Sequence, residues 1–162
     1  MKIGLMADSH EHMPMIAKAV GLFNRERAEL VLHAGDIISP ITAKEFVKLE
    51  MRMIAVFGNN DGEKLYLREK FAPFAEIHER AWEGEAMGRR ILLIHAPDAL
   101  AALESSGVYD VIVYGHTHEA VVRKGTKTLV VNPGECCGWI TGRSTVAILD
   151  TDDMSVEIKN LG

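Results

Sequence analysis

The chain has 162 residues, 48% of them hydrophobic and 25% charged, which fits a single globular domain spanning residues 1–162. Its formal net charge of -5 argues against binding to long nucleic acids, because non-specific affinity for phosphates comes mainly from Lys and Arg. No run approaches the roughly 20 apolar residues of a membrane helix, and the short apolar N-terminus is unlike a signal peptide. We therefore expect a cytoplasmic protein without a membrane partner.

Short apolar runs alternate with helix-length segments in the first part of the chain. The runs are continuous in Val, Ile and Leu, as in strands that are covered on both faces. They span residues 3–7, 30–32, 53–57, 91–94 and 111–114. Ile16, Val20 and Phe23 have helical spacing, and Ser39-Pro40 resembles the cap and first turn of a second helix. A third helix is predicted after Asp61, ending at about Phe71. This alternation predicts right-handed βαβ units.

Hairpins dominate the second part of the chain. Residues 74–82 and 89–94 are predicted strands that flank a turn at 84–88, and a short helix is predicted near 99–103. Further strands are predicted at 121–123, 129–131, 145–149 and 155–159, with a turn at Lys124-Gly125. The sum is an α/β fold with a two-layered sheet core flanked by helices, of α/β or αββα type.

Residues of metal-ligand type follow the predicted apolar strands. These residues are Asp8, His10, Asp36, Asn59, His95, His116 and His118. In open α/β sheets, ligands bind in the crevice outside the carboxyl ends of the strands, so five strand ends can direct these side chains to one point. Four of the seven His residues lie at such ends, whereas His12, His33 and His78 do not.

Each of these residues also has a purely structural explanation. Asp8 could cap the following helix, and Gly35-Asp36 could form an ordinary turn. His95 could be a hydrogen-bonded histidine of the core. The segment 58–61 is strongly turn-like, with Asp61 as a possible cap for the next helix; we assign Asn59 to metal and Asp61 to structure. The segment 115–118 is the fragment most specific for metal binding, because two His side chains project from one short segment. The preceding Gly permits a close approach of its backbone to other segments.

Five ordered motifs in this sequence resemble those of calcineurin-like metallophosphoesterases. They are Asp8-Ser9-His10, Gly35-Asp36, Gly58-Asn59-Asn60-Asp61, His95 and Gly115-His116-Thr117-His118. The likeness extends from Met1 to about Gly134. The short length and the Asn-Asn-Asp version of the third motif are similar to the small archaeal and bacterial phosphodiesterases, and to the related scaffold subunit of retromer.

The resemblance implies a four-layer αββα sandwich of two mixed β-sheets flanked by helices, with two divalent metal ions in one site. One ion would be bound by Asp8, His10, Asp36 and His118. The other would be bound by Asp36, Asn59, His95 and His116. A carboxylate such as Asp36 can bridge two cations, and mixed nitrogen and oxygen ligands favour Mn, Fe, Ni, Co or Zn over Ca or Mg. Among these ions we favour Mn or Ni.

The predicted activity is hydrolysis of small organic phosphate diesters by a metal-activated hydroxide, in a metal-dependent phosphoric ester hydrolase. Many superfamily members have His where this chain has Asn60, which cannot titrate but can orient the phosphoryl group. Good leaving groups, and therefore diesters, should be favoured. His12 and Arg143 are candidate phosphate contacts. Glu135, if it faces the site, would repel a phosphate dianion more than a diester monoanion.

Three alternatives remain open at this stage. The chain could be a phosphomonoesterase or a nuclease that uses the same site, although Trp82 and Trp139 are too isolated in sequence to indicate a surface that stacks single strands. It could instead be a catalytically weak or inactive protein-interaction scaffold, as the retromer likeness suggests. Cys136 and Cys137 are expected to be buried reduced thiols, and a homo-oligomer is possible.

Overall fold

The computed structural model describes residues 1–162, which form eleven strands and four α-helices. In chain order the elements are β1 (Lys2–Met6), α1 (Met13–Arg25), β2 (Leu30–His33), a 3-10 helix (Pro40–Thr42) that runs into α2 (Ala43–Phe46), β3 (Arg52–Val56), α3 (Lys64–Phe71), β4 (Ala75–His78), β5 (Ala81–Ala86), β6 (Arg89–Ile94), α4 (Leu100–Ser106), β7 (Val111–Val113), β8 (Ala120–Lys124), β9 (Leu129–Pro133), β10 (Thr145–Asp150) and β11 (Ser155–Asn160). None of the helices is long and apolar enough to cross a membrane.

The strands form two mixed sheets. The six-stranded sheet has the order β11-β10-β1-β2-β3-β4, in which β1 to β4 are parallel and β10 pairs with β1 in the antiparallel direction. The five-stranded sheet has the order β5-β6-β7-β9-β8, with a parallel centre of β6, β7 and β9 and an antiparallel strand at each edge. The parallel strands bring several carboxyl ends to one side of each sheet.

The two sheets pack against each other, and helices cover their outer faces. Ile3 and Leu5 of β1 contact the apolar cluster between the sheets, which includes Val111 of the second sheet. Met6, on the opposite face of β1, joins a cluster formed with α1, α2 and α3. Residues of β6, β7 and β9 pack beneath α4 on the far side. This helix, sheet, sheet, helix layering confirms the predicted αββα sandwich.

The helical spacing predicted in the first segment is confirmed by α1. Ile16, Val20 and Phe23 are buried on one face of this helix, and Pro14 lies in its first turn, where a missing N–H costs nothing. Asp8 does not cap α1, because His12 occupies the N-cap position. The Asp8 side chain is therefore not engaged at the start of α1 and lies instead just after the carboxyl end of β1.

Two boundaries in the second part of the prediction were wrong. The segment 74–82 is not one strand, because β4 belongs to the six-stranded sheet and β5 to the other, so the chain changes sheets between them. The hairpin turn is also shorter than predicted and consists of Met87 and Gly88, whose φ angles are 51° and 69°. Positive φ at both positions gives a two-residue turn whose twist matches the flanking strands. Gly84, which was predicted to begin the turn, lies inside β5.

Two predicted helix starts also differ from the structure. Ser39-Pro40 begins a 3-10 helix before α2, and the Ser39 side chain makes no capping hydrogen bond. The third helix begins at Lys64 with Glu63 at its N-cap, so Asp61 does not cap it. Asp61 instead accepts hydrogen bonds from backbone N–H groups of the loops that follow β2 and β3.

Candidate metal centre

All seven side chains predicted to bind metal lie at the carboxyl ends of parallel strands. Four of them follow strands of the six-stranded sheet and three follow strands of the five-stranded sheet. Asp8 and His10 follow β1, Asp36 follows β2, Asn59 follows β3, His95 follows β6, and His116 and His118 follow β7. Because the sheets face each other, residues that are far apart in sequence meet at one edge of the sandwich.

One half of the cluster is built around Asn59. Its Oδ1 atom lies 2.8 Å from His95 Nε2 and 2.9 Å from His116 Nδ1. His95 Nε2 is also 3.6 Å from Asp36 Oδ1. These four side chains are those that the family resemblance assigns to the second ion.

The other half lies on the opposite side of Asp36. Asp36 Oδ2 is 3.4 Å from His10 Nε2, and His118 Nε2 is 3.7 Å from Asp8 Oδ1. The rings of His10 and His118 have centroids 5.3 Å apart. Asp36 therefore presents one carboxylate oxygen to each half of the cluster.

Several nitrogen and oxygen atoms of the cluster face one another without a hydrogen bond between them, an arrangement that a bound cation would stabilise. His95 donates from Nδ1 to the Ala34 carbonyl over 2.8 Å, so in the neutral ring the Nε2 lone pair faces the Asn59 oxygen. His10 Nε2 is buried and makes no hydrogen bond. Burial lowers the pKa of both imidazoles and raises the pKa of Asp8 to about 7. Divalent transition metals prefer mixed nitrogen and oxygen ligands of this kind, so the residues fit the implied ions.

Strained backbone accompanies the cluster. Five of the seven predicted ligands have positive φ angles between 42° and 70°. They are Asp8, His10, Asp36, His116 and His118. Asp and His enter the left-handed region more readily than most residues, yet each instance costs of order 1–3 kcal/mol. Such strain clusters at functional sites, because it directs side chains to where regular strands would not.

Two glycines allow the ligand segments to approach one another. A Cβ atom on Gly115 would lie 2.9 Å from Asp8 Oδ2, which confirms the tight approach expected of this glycine. A Cβ atom on Gly58 would lie 2.1 Å from Asp36 Oδ1. Any side chain at either position would displace a carboxylate of the cluster.

Asp61 has the structural role that its position in the third motif suggested. It is buried and accepts hydrogen bonds from the backbone N–H groups of Gly58 at 2.7 Å, Ile38 at 2.6 Å and Asp36 at 3.1 Å. Hydrogen bonds to an ionised acceptor are stronger than neutral ones. Asp61 thus ties the loop after β3 to the loop after β2 and fixes the backbone of Asp36.

Glu135 does not face the substrate side, contrary to the orientation considered from the sequence. It is fully buried, and its carboxylate accepts a hydrogen bond from His118 Nδ1 at 2.7 Å. Burial alone would raise its pKa, but hydrogen bonds from His118, Thr141 and Cys137 outweigh that effect and lower it to about 2. The argument that Glu135 repels phosphate dianions therefore does not apply.

The three predicted substrate contacts occupy different surroundings. Asn60 donates hydrogen bonds from its backbone N–H to Asp36 Oδ1 at 2.9 Å and from its side-chain amide to Asp36 Oδ2 at 2.7 Å. The His12 ring nitrogen Nδ1 donates to the Cys137 carbonyl over 2.7 Å. Arg143 is exposed in an open cleft that His118 also lines. Asn60 thus contacts the predicted bridging carboxylate directly.

Sequence reasoning missed three residues close to the cluster. Trp139 is exposed, with its ring centroid 6.0 Å from that of His10. Arg80 is exposed in a cleft that is lined by Asn59, His95 and His116. Cys137, predicted only as a buried thiol, has its sulfur within 4.8 Å of ring nitrogens of His10 and His118. No short-range pattern marks these residues, because the fold alone brings them to the site.

Comparison with known proteins agrees with this arrangement of residues. Residues 1–154 match the family model described as the calcineurin-like phosphoesterase superfamily domain. The chain belongs to that superfamily. Calcineurin-like phosphoesterases use divalent metals, so the resemblance seen in the sequence and the expectation of a metal-dependent phosphoric ester hydrolase are confirmed.

Individual relatives cover nearly the whole chain. Phosphodiesterase MJ0936 of Methanocaldococcus jannaschii is 44% identical over 156 residues, which are 94% of each chain. The solved structure of a novel archaeal phosphodiesterase has a TM-score of 0.94 and 41% identity, with 99% of both chains covered. Vps29 of Entamoeba histolytica, solved in complex with zinc, has a TM-score of 0.69 at 18% identity with both chains fully covered, which shows the fold alone.

The two cysteines are free and buried, as expected. Burial raises the pKa of both thiols, and that of Cys137 reaches about 12. The Cys137 thiol donates a hydrogen bond to Glu135 over 3.1 Å. Neither thiol is therefore present as a reactive thiolate near neutral pH.

Proposed function

We propose that this chain is a dinuclear metal-dependent phosphodiesterase that hydrolyses small organic phosphate diesters. One observation carries the proposal: Asp36 presents Oδ1 to His95 and Oδ2 to His10, so its carboxylate lies between two sets of donors. A bridging carboxylate of this kind is typical of two-metal sites that cleave phosphate esters. The similarity to phosphodiesterase MJ0936 supports the same conclusion.

The proposed ligands divide as the donor geometry suggests. Asp8, His10, Asp36 and His118 would hold one ion, and Asp36, Asn59, His95 and His116 the other. When bound, the ions would supply an acidified water as nucleophile and neutralise the phosphate oxygens, and we favour Mn or Ni. Asn60 holds the Asp36 carboxylate by two hydrogen bonds and so fixes the orientation in which one oxygen faces His10 and the other faces His95.

The preference for diesters rests on the similarity to phosphodiesterase MJ0936, and Asn60 adds a preference for good leaving groups. An amide cannot deliver a proton to the departing oxygen, and a general acid is worth about 10²–10⁴-fold in rate. Arg143 lines a cleft with His118, and Arg80 lines another with His95 and His116, so each could donate to non-bridging phosphate oxygens. His12 has one ring nitrogen engaged by the Cys137 carbonyl, so its part in phosphate binding is limited to the other nitrogen. The two free cysteines suit a reducing cytoplasmic location.

A protein-interaction scaffold is the second candidate, and the likeness in fold to Vps29 favours it. The presence of all seven donors in one cluster argues for the enzyme, because a scaffold does not need them. A scaffold would retain its function with Asp36→Asn, whereas the enzyme would not.

The test is to strip the protein of metal, reload it with Mn²⁺ or Ni²⁺, and compare the hydrolysis of bis(p-nitrophenyl) phosphate with that of p-nitrophenyl phosphate. We expect metal-dependent cleavage with the diester faster, and a loss of at least about 10³-fold in Asp36→Asn. Asp98→Asn is the matched control, since Asp98 is an exposed aspartate in the cleft beside His95. No turnover with metal bound would leave the scaffold as the better explanation.

A further inference from the structure

An exposed tryptophan, followed in the chain by an exposed isoleucine, borders the candidate metal centre. Trp139 and Ile140 expose 59% and 73% of their surface, although most large apolar side chains of the protein are buried. The Trp139 ring centroid lies 5.6 Å from that of His12 and 6.0 Å from that of His10, a proposed metal ligand. Trp82, the only other tryptophan, instead packs partly buried against the core between the sheets. The exposed apolar surface of Trp139 is therefore continuous with the polar metal site.

The loop that carries this pair is held firmly from beneath. The backbone N–H groups of Ile140 and Thr141 donate hydrogen bonds to the buried carboxylate of Glu135, at 3.0 Å and 2.5 Å. The Cys137 carbonyl accepts a hydrogen bond from the His12 ring at 2.7 Å. Because the backbone on both sides of Trp139 is tied to the protein, little conformational entropy would be lost when a ligand covers the ring.

Composition and charge decide which ligand this surface fits. An indole with an exposed face binds flat aromatic rings by stacking, and every nucleobase or aryl group offers such a face. One indole can cover a single ring, and the net charge of -5 disfavours a long polyanion. The neighbouring donor cluster would bind the phosphate to which the ring is attached.

We propose that the exposed indole of Trp139 forms a platform that stacks one aromatic or heteroaromatic ring of the phosphodiester bound at the metal centre. The proposal rests on the proposed phosphodiesterase function and narrows its substrate class. The preferred substrate then carries a nucleobase or an aryl group next to the scissile phosphate. His10 and His12 form the edge of the platform that faces the metals.

The first test compares esters that share one leaving group. Ethyl, phenyl and thymidine 5′ diesters of p-nitrophenyl phosphate differ only in the group that remains on the phosphate. We expect Trp139→Ala to lower kcat/KM by roughly 5- to 150-fold more for the phenyl or thymidine ester than for the ethyl ester. Trp139→Phe should restore most of the difference. A larger loss for the thymidine ester identifies the ring as a nucleobase, and a larger loss for the phenyl ester identifies an aryl group.

Tyr66→Ala is the matched control, because Tyr66 is an exposed aromatic on α3 outside the metal centre. It should leave all three rates unchanged. If Trp139→Ala lowers the three rates equally, or changes none, the platform is wrong while the phosphodiesterase stands.

A second measurement separates binding from turnover. In the metal-loaded Trp82→Phe protein, whose remaining tryptophan is Trp139, phenylphosphonate should quench the fluorescence at lower concentration than methylphosphonate does. Equal affinity for the two phosphonates would overturn the platform. Absence of hydrolysis of every ester would count against the phosphodiesterase, and the phosphonate titration would still decide whether the platform binds a ring.

Discussion

His118 Nδ1 donates a hydrogen bond to Glu135 over 2.7 Å inside the protein, and this bond determines which ring nitrogen faces the metal centre. Because the carboxylate occupies Nδ1, the Nε2 lone pair of His118 is directed toward Asp8. Carboxylates behind a metal-binding histidine fix its tautomer and increase its basicity. Glu135 is thus a positioning residue that contacts the proposed ligand and not the metal.

We expect Glu135→Gln to weaken metal binding by about 10–100-fold. Gln can accept from His118 with its oxygen, but its amide NH₂ would then oppose the N–H groups of Ile140 and Thr141. Competition with a chelating indicator measures the affinity for Mn²⁺. Glu119→Gln removes the same charge from an exposed position beside His118 and should have no effect. An unchanged affinity in Glu135→Gln would refute the positioning role.

Asp61→Ala should reduce stability and metal affinity together. The change leaves three backbone N–H groups without their acceptor, and we expect a loss of about 3 kcal/mol in the free energy of unfolding. Urea denaturation of the metal-free protein measures it. Asp98→Ala, at an exposed position, should change stability by less than about 0.5 kcal/mol. A normal unfolding midpoint for Asp61→Ala would show that water replaces the carboxylate without cost.

Asn60→His should broaden the range of leaving groups. The imidazole would add a titratable donor next to Asp36, where the amide now lies, and we expect esters with poor alkoxide leaving groups to gain about tenfold or more relative to p-nitrophenyl esters. Rates for a series of leaving groups at several pH values test this. Asn60→Gln keeps the amide and should show no such gain. An identical dependence on leaving group in all three proteins would show that the missing acid does not cause the preference for good leaving groups.

His33 is predicted to contribute to the acid sensitivity of the metal-free protein. Burial lowers the pKa of His33 to about 3, and its Nδ1 accepts a hydrogen bond from the Gly35 N–H, so the ring is neutral in the folded protein. The unfolded chain takes up a proton below the ordinary pKa of about 6.5. The stabilising contribution is therefore complete above pH 6.5 and is lost toward pH 3, by up to about 1.4 kcal/mol per pH unit.

His33→Gln should flatten this dependence. Unfolding of the metal-free protein by urea at pH 7 and pH 4.5 provides the comparison. His78→Gln, which changes a half-buried histidine on β4, should retain the wild-type slope. Equal slopes in all three proteins would assign the acid sensitivity to other groups.

The clustering of the seven predicted ligands was foreseeable because parallel strands direct their carboxyl ends to one edge, and apolar runs reveal such strands in a sequence. Asp36 and His95 could each be assigned to a strand end without any coordinates, although these strands belong to different sheets. Glu135 could not be assigned in this way, because its burial depends on a loop that closes over it from residues 137–143. A charged residue after a turn is usually exposed, and only the five hydrogen-bond donors around this carboxylate reverse that expectation.

The position of Trp139 beside the cluster could not be predicted from the sequence for a related reason. Its neighbours His10 and His12 lie more than a hundred residues earlier in the chain, and Gly138 has a φ angle of 70° that local propensity does not specify. His33 was not counted among the histidines at strand ends, yet it is the last residue of β2 and its Nε2 atom lies 3.1 Å from Ser9 Oγ, between two loops that carry predicted ligands. Local patterns thus predict which strands carry ligands, whereas contacts between loops decide how those ligands are held.

The division of the seven donors between the two sheets has a mechanical consequence. An ion bound by Asp36 and His95 would connect a loop of one sheet to a loop of the other. It would therefore hold the two sheets together at the open edge of the sandwich. Ligands that bind only the folded chain stabilise it by mass action. The supply of metal would then govern not only the rate of hydrolysis but also how long the folded chain survives proteolysis.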